Sequence, residues 1–582
     1  METYSNVHRG SGHNSIVTTK AYEQARIEVL EYFGLPASKY TVVFSSARQA
    51  ALLQSKLKKG SFQAISSRQI GLPLGIYATA VKKSALPSGE PFQVGGGTTR
   101  LVGPDWIVWD KAPGRFEAGT PAIIHAIALS KALQLLKQKG QDAFHPEKDK
   151  SPSPAELFYK DETDDLSGQA LLDHLRETMI GREVMVQTPQ GEMPYINLDN
   201  AASTPAFSPV WETVCKAWDQ PEENHSEIIS EVRSIVSKCL NAPSSEFDIL
   251  FTYNTTEAVN ILAESFHKNG GRKTETVILN TLLEHNSNDL PWRLLPNSSL
   301  IRLSIDEEGF IDLKELERHL ANYNEWGKHP GKRIGLVAVS GASNVLGTCN
   351  DLAEISRIVH RFGAKLLVDA AQLVAHRPVD MESTGIDYLV FSAHKAYAPF
   401  GTGVLIARKG LLNIDPSEMQ MIRQSGEENL AGIAALGKTA LLLQKIGYEV
   451  IIKEERALTL HAIQGMLQIP GLTIYGIRNP ESGIFDRRVG VIVFSLKKVF
   501  GNVIARKLAD KGIGIRFGCH CAHMLVKHLV KVSPGLERFQ RIMVTVLPNV
   551  RLPGLARISI GLGNTEKEID RFLQVLNRIA LR

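Results

Sequence analysis

Along residues 333–374 two short apolar runs, RIGLVAVSGASNVLG and GAKLLVDAAQLV, flank the amphipathic stretch DLAEISRIVHRFG. The runs predict buried strands and the stretch between them a helix whose apolar positions recur at helical spacing. A strand–helix–strand unit of this kind belongs to a mostly parallel sheet with helices on both faces. DILFTYN running into TTEAVNILAESF, and DYLVFSAHK, predict further strands of the same sheet. In such sheets ligands bind outside the carboxyl ends of the strands. The polar residues at those ends are therefore the ones to inspect.

Two pairs of segments match one another without gaps. FQAISSRQIGLPLGIYATAVKKS from Phe62 overlays YLVFSAHKAYAPFGTGVLIARKG from Tyr388. AGTPAIIHAIALSKALQLLKQKG from Ala118 overlays SGEENLAGIAALGKTALLLQKIG from Ser425. A looser pair, VVFSSARQAALL near Val42 against ILFTYNTTEAVNIL near Ile249, needs gaps. The common order predicts a short first copy over 1–145 and a longer second copy over 191–582, with a smaller α+β domain from about 450 onward. Between the copies, 146–190 begins as a Pro-, Ser- and charge-rich linker. It continues into a predicted helix, SGQALLDHLRETMIG, with Leu171, Leu172 and Leu175 on one face.

Composition narrows the class. Of 582 residues 43% are hydrophobic and 22% charged, as in an ordinary globular chain. Lys and Arg number 66 against 61 Asp and Glu, an excess too dilute to argue for nucleic acid or an anionic membrane. There is no apolar run long enough to predict a transmembrane helix, and METYSNVHRGSGHNS does not read as a secretory signal. Five cysteines, odd in number and sparse, favour a reducing compartment over a disulfide framework. The expectation is a cytoplasmic enzyme.

Four strand ends carry candidate chemistry. Thr255 and Thr256 open a helix, where free N–H groups, hydroxyls and the dipole favour an anion, although a plain N-cap would look the same. Asp369, with Gln372 behind it, is a buried carboxylate in need of a partner such as a protonated ring nitrogen. Lys395, after Ser392 and His394, can form a Schiff base with an aldehyde, or be a surface lysine. His285, in TLLEHNSNDLPW, can stack on an aromatic ring. Together these are the parts that pyridoxal phosphate requires.

On LDNAAST, TTEAVN, LEHNSNDLPW, SNVLGT, LLVDAAQ, FSAHKAYAPFGTGVL, IRFGCHC and ARISIGLGNTEKEID, the second copy resembles the class V, fold-type I aminotransferase superfamily, in its cysteine desulfurase and selenocysteine lyase branch. The resemblance implies pyridoxal 5′-phosphate as cofactor and Lys395 as the lysine that anchors it. It implies Asp369 on the pyridine nitrogen, Gln372 on the ring oxygen and His285 stacked on the ring. Thr256, with Thr255, Ser392 and His394, would hold the phosphate. Asn344, Arg516 and Arg557 would bind a small amino-acid substrate, and an acceptor protein would take the sulfur. Cys521 matches the branch's nucleophile, which takes sulfur (or selenium) from cysteine (or selenocysteine) as a persulfide and leaves alanine. Arg516, His520 and His523 would favour its thiolate. Cys519 stands where a histidine is expected. Two structural cysteines, a partial metal site, another class V reaction (transamination or elimination) and a non-catalytic scaffold are the alternatives. Cys215, Cys239 and Cys349 read as structural.

The first copy resembles the same family in pieces: NVHRGSGHNS, VGGGTTRLV and GRFEAGTP. Its lysine position is Gln69, and no cysteine precedes Cys215. The second copy lacks an NVHRG segment and carries Glu427 opposite Thr120. In family homodimers the threonine of AGTP reaches the partner's cofactor phosphate. Reciprocal loss therefore predicts an intramolecular pseudo-dimer with one site, to which His8, Arg9 and Thr120 of the first copy contribute.

Overall fold

The computed structural model describes residues 1–7, 10–140, 144, 153–269, 274–547, 552 and 554–581. The N-terminal part holds three antiparallel strands, β1 (Tyr40–Ser45), β2 (Phe62–Ser66) and β3 (Tyr77–Lys82), in the order β1–β3–β2. A hairpin of β4 (Thr99–Val102) and β5 (Ile107–Trp109) follows, then a second of β6 (Met185–Thr188) and β7 (Gly191–Pro194), then the short β8 (Ile196–Asn197).

The central sheet has seven strands: β9 (Phe247–Thr252), β10 (Glu275–Thr281), β11 (Ser298–Leu303), β12 (Lys332–Ser340), β13 (Lys365–Asp369), β14 (Tyr388–Ser392) and β15 (Gly403–Arg408). Their order is β11–β10–β12–β13–β14–β15–β9. Strands β10 to β14 pair in parallel, and β13 and β14 are apolar and buried on both faces, as helix-covered strands must be. β15 runs antiparallel to both β14 and β9. The short link 393–402 between β14 and β15 leaves no room for the crossover of a dozen or more residues that a parallel return needs.

The C-terminal part is an antiparallel sheet of β16 (Leu472–Ile474), β17 (Val491–Leu496), β20 (Leu555–Ser559) and β19 (Arg516–Gly518), in that spatial order. Helices Tyr448–Leu467 and Glu566–Ala580 share its core through Ile463, Phe494, Ile558 and Phe572. A short β18 (Ile513–Gly514) pairs in parallel with β8, which ties the segment around Ile196 to this domain.

Strand pairing in the N-terminal part matches that along one edge of the central sheet. β2 and β3 lie 326 residues before β14 and β15, helix Ile123–Lys139 lies 307 before helix Leu430–Ile446, and β1 lies 207 before β9. The antiparallel pairings β1–β3 and β3–β2 repeat β9–β15 and β15–β14. The pair read from sequence as gapped is gapless over its strands. The Arg26 guanidinium sits 5.3 Å from the Phe44 ring centroid, and Arg233, 207 residues on, sits 5.5 Å from that of Phe251.

The connecting segment is built from Ser153 onward. Ser153 caps helix Pro154–Tyr159 in a capping box with Glu156, and the next helix, Gly168–Glu177, buries Leu171, Leu172 and Leu175. Buried Lys438 pairs with Asp161 and donates to the Phe158 carbonyl at 2.8 Å. Among the described residues no single helix is long and apolar enough to cross a membrane.

Candidate active site

The strand ends converge. Asp369 ends β13, Lys395 closes the turn after β14, Asn344 follows β12, His285 follows β10, and Thr255 and Thr256 open helix Thr255–Asn269 after β9. These residues, with Ser392, His394, Arg516, Cys521, Arg557 and Thr120, line one cavity of about 160 Å³. Gln372 stands beside the wall: its amide donates to the carbonyl of Ala201, which lines the cavity, at 2.7 Å. His8 and Arg9 lie outside the described residues. Next to them Val7 lines the cavity and Gly10 forms a backbone bridge with Arg516.

One end of the cavity is a cluster of hydroxyls and N–H groups. The Thr255 N–H donates to Ser392 Oγ at 2.7 Å, and the two hydroxyls are 2.6 Å apart. Thr256 Oγ1 and Ser287 Oγ are also 2.6 Å apart, and the Gly96 N–H reaches Ser287 Oγ at 3.3 Å. His285 Nδ1 accepts the Ser287 N–H at 3.2 Å, which assigns the neutral ring's proton to Nε2.

The N-terminal part closes this end at very short range. A Cβ on Gly95 would lie 2.4 Å from Thr256 Cγ2, and one on Gly96 would lie 2.7 Å from His285 Cε1, so only glycine fits. Asn260 brackets Val94, accepting its N–H at 3.1 Å and donating to its carbonyl at 2.9 Å. Asn254 Nδ2 donates to the carbonyls of Ala118 and Thr120 at 3.1 Å each. Thr120 thereby reaches the cavity that holds Lys395. Gln69 accepts the Ser66 N–H at 2.7 Å and Glu427 pairs with Arg233.

The middle of the cavity is cationic. Burial lowers the Lys395 pKa; Asp369 and Cys521 oppose that shift, while Arg557 and Arg516 add to it. Burial, then the Lys395 charge, holds His394 well below the ordinary histidine value, so its imidazole is neutral. Its Nδ1 lies 3.2 Å from Ser203 Oγ. Asp369 Oδ1 accepts the Ala371 N–H at 3.0 Å.

At the far end Arg557 is almost fully buried and donates to the Asn344 carbonyl at 2.7 Å and to Asp199 Oδ1 at 3.0 Å. Arg516 approaches the other Asp199 oxygen at 4.0 Å. Asp199 sits in the LDNAAST motif and orients the arginine pair, a role not assigned from sequence. Cys521 lies in a strained turn: the Ala522 N–H donates to the Cys519 carbonyl at 2.8 Å, with φ of +51° at His520 and +54° at Cys521. Asn344 Nδ2 holds the His520 carbonyl at 2.9 Å and the Asn286 N–H holds the Cys521 carbonyl at 2.7 Å. Among the described residues no group of three or more His, Cys, Asp or Glu side chains is placed to hold a metal ion.

A lysine amine whose pKa burial lowers, a carboxylate at the end of the neighbouring strand and a glycine-lined anion cradle fit pyridoxal 5′-phosphate. The fold and site define a fold-type I pyridoxal-phosphate enzyme. The aminotransferase class-V family model matches residues 56–153 and 196–572, and the chain belongs to that family. A cysteine desulfurase of Dickeya dadantii (strain 3937) is 32% identical over 374 residues, which is 60% of this chain and 81% of that protein. One from Escherichia coli O8 (strain IAI1) is 30% identical over 377 residues, 61% of this chain and 83% of that protein. Among solved structures, the apo cysteine desulfurase of Thermococcus onnurineus NA1 superposes with a TM-score of 0.58 at 23% identity, covering 72% of this chain and all of that one.

Proposed function

We propose that the protein is a pyridoxal-phosphate-dependent cysteine desulfurase with one active site per chain. The observation that carries this is the position of Cys521, on the wall that also bears Lys395, Asn344 and Arg557. A thiolate there is close enough to raise the pKa of both Lys395 and Arg557. When bound, the cofactor supplies an electron sink next to the substrate's amino carbon.

The residues then have distinct tasks. Lys395 anchors the cofactor and, with its pKa lowered by burial, exchanges protons readily at Nζ. With the cofactor bound, Asp369 would pair with its ring nitrogen, His285 would stack on its ring, and Gln372 would face its ring oxygen. Thr255, Thr256, Ser392, neutral His394 and the Gly95–Gly96 backbone hold the phosphate. Arg557, set by Asp199, receives the substrate carboxylate together with Arg516 and Asn344. Cys521 takes the substrate sulfur as a persulfide, and alanine leaves.

The same proposal assigns 1–145 as a degenerate half that completes the site, 146–190 as connector, and 191–582 as the catalytic copy with a small domain from about 450. Matched strand pairings, the family match at 56–153 and Thr120 on the cavity wall support it. Five cysteines, odd in number and sparse, favour a reducing compartment such as the cytoplasm.

Incubating the purified protein with L-cysteine tests the assignment. Alanine should appear in step with sulfide once a reductant is present. Pyruvate and ammonia in place of alanine would assign an elimination instead.

A further inference from the structure

The turn that carries Cys521 divides two spaces. Cys521 lines the inner cavity, whereas Cys519, two residues earlier, lines an outer cavity of about 1020 Å³ with Arg100, His523 and Lys527, and His520 borders both. Two trans peptide units keep the two cysteine Cα atoms within about 7.6 Å of each other. Consecutive left-handed residues at His520 and Cys521 have the φ signature of a type I′ turn. Such strain persists where the surroundings enforce it. Here Asn344, Asn286 and the Leu555 carbonyl, which His520 Nε2 reaches at 3.0 Å, all hold the turn.

The outer space is built around Cys519. Lys527 donates to the Val102 carbonyl at 2.8 Å and pairs with Glu537 at 2.6 Å. Burial lowers the Lys527 pKa, while Glu537 and the negative form of Cys519 raise it, so Lys527 and a Cys519 thiolate stabilise each other. Helices His523–Leu529 and Pro534–Val546 wall this cavity against the N-terminal hairpin, where Arg100 Nη1 donates to the Val544 carbonyl at 2.6 Å. A space this size admits a ligand far larger than one amino acid.

Resting on the assignment of Cys521 above, we propose that Cys519 is a second sulfur station, which takes the sulfane sulfur from Cys521 and presents it to an acceptor thiol in the outer cavity. The Cys519 thiolate attacks the terminal sulfur of the Cys521 persulfide. A new S–S bond forms at Cys519, the old one breaks, and its electron pair leaves on Cys521 as a thiolate. The terminal proton travels with its sulfur. The step is a thiol–persulfide exchange with no net oxidation or reduction, and it returns Cys521 ready for a second substrate. A chain without an acceptor therefore fills both stations.

The test mixes the holoenzyme with excess L-cysteine and no reductant, quenches with iodoacetamide, and locates the added sulfur by tandem mass spectrometry of the peptide holding both cysteines. Wild type should carry sulfur on Cys519 and release two alanines per bound cofactor. Cys519→Ser, or Cys519→Ala if the serine variant does not retain cofactor, should stop at one. A single alanine from wild type, with sulfur on Cys521 alone, overturns the relay and leaves the desulfurase assignment standing. Prompt sulfide with a Cys519–Cys521 disulfide also overturns it, since attack then falls on the inner sulfur. A Cys521→Ser variant that still makes alanine and loads Cys519 overturns the assignment of Cys521 and the relay with it.

Discussion

Gly75 and Asn429 meet so closely that a Cβ on Gly75 would lie 2.7 Å from the Asn429 backbone nitrogen. The contact recurs with the partners exchanged: a Cβ on Gly401 would lie 2.3 Å from Ala122 Cβ. Gly401 is 326 residues after Gly75 and Asn429 is 307 after Ala122, the offsets of their host segments. A surface that meets its own equivalent in this way is what a two-fold interface produces.

The first prediction concerns these glycines, whose φ values are +57° and +71°. Alanine at either adds a left-handed penalty of roughly 1–2 kcal/mol to overpacking of about 1–3 kcal/mol. Gly75→Ala and Gly401→Ala should each lower Tm clearly in thermal unfolding. Because Thr120 lies two residues from Ala122, Gly401→Ala should also loosen the cofactor. An unchanged Tm in both would mean that the contact is not tight.

Thr120→Ala removes a hydroxyl from the proposed phosphate end. A hydrogen bond to a charged group is worth roughly 1.5–3 kcal/mol, so cofactor affinity should fall about tenfold or more. Thr120→Glu, which copies the second copy's Glu427, should fall further through charge repulsion. Equilibrium dialysis against pyridoxal phosphate reads both. Affinities matching wild type would remove the N-terminal part from the site.

Lys395→Ala and Cys521→Ser should separate anchoring from sulfur capture. The first should lose the borohydride-reducible link to the cofactor. The second should keep that link and the holoenzyme's visible spectrum yet make no alanine from cysteine. Full activity in either variant removes that residue from its assigned task.

Glu284 gives a pH signature. Burial pushes its carboxyl up from 4.5 to about 7, against four hydrogen bonds from Thr281, Asn288 and Ser340. The folded state therefore binds the proton more tightly than the unfolded chain. The associated stability is fully present below pH 4.5 and is lost as pH rises through about 7. At 1.36 kcal/mol per unit the loss is about 3 kcal/mol. Glu284→Gln should flatten the slope of unfolding free energy against pH in that window; an identical slope would count against the buried acid.

Much of the site was legible because its residues stand where apolar runs end. Asp369 ends a strand and Lys395, Thr255 and Asn344 follow one, and a strand end is visible in sequence. Asp199 was not assigned, because its meaning depends on Arg557, 358 residues away, and no local pattern links them. The glycines of VGGGTTRLV were noticed as a resemblance, but their task follows from contact with Thr256 and His285, far along the chain. The reversal of β15 was hidden for a related reason: strand direction follows from the length of a connection, which apolar periodicity does not encode. The third offset, 207, escaped a gapless alignment because the spacing of the helix caps Ser46 and Asn254 differs from it by one residue.

The cavity draws its walls from both ends of one polypeptide: Val7, Gly96 and Thr120 on one side, Lys395, Cys521 and Arg557 on the other. In a homodimer that shares residues across its interface, halving the protein concentration shifts subunits toward monomers, and the sites go with them. On the proposed one-chain site the two parts are tethered, so their effective concentration is set by the chain itself. Specific activity should stay level as the enzyme is diluted, and a cell needs only a few copies for each of them to work.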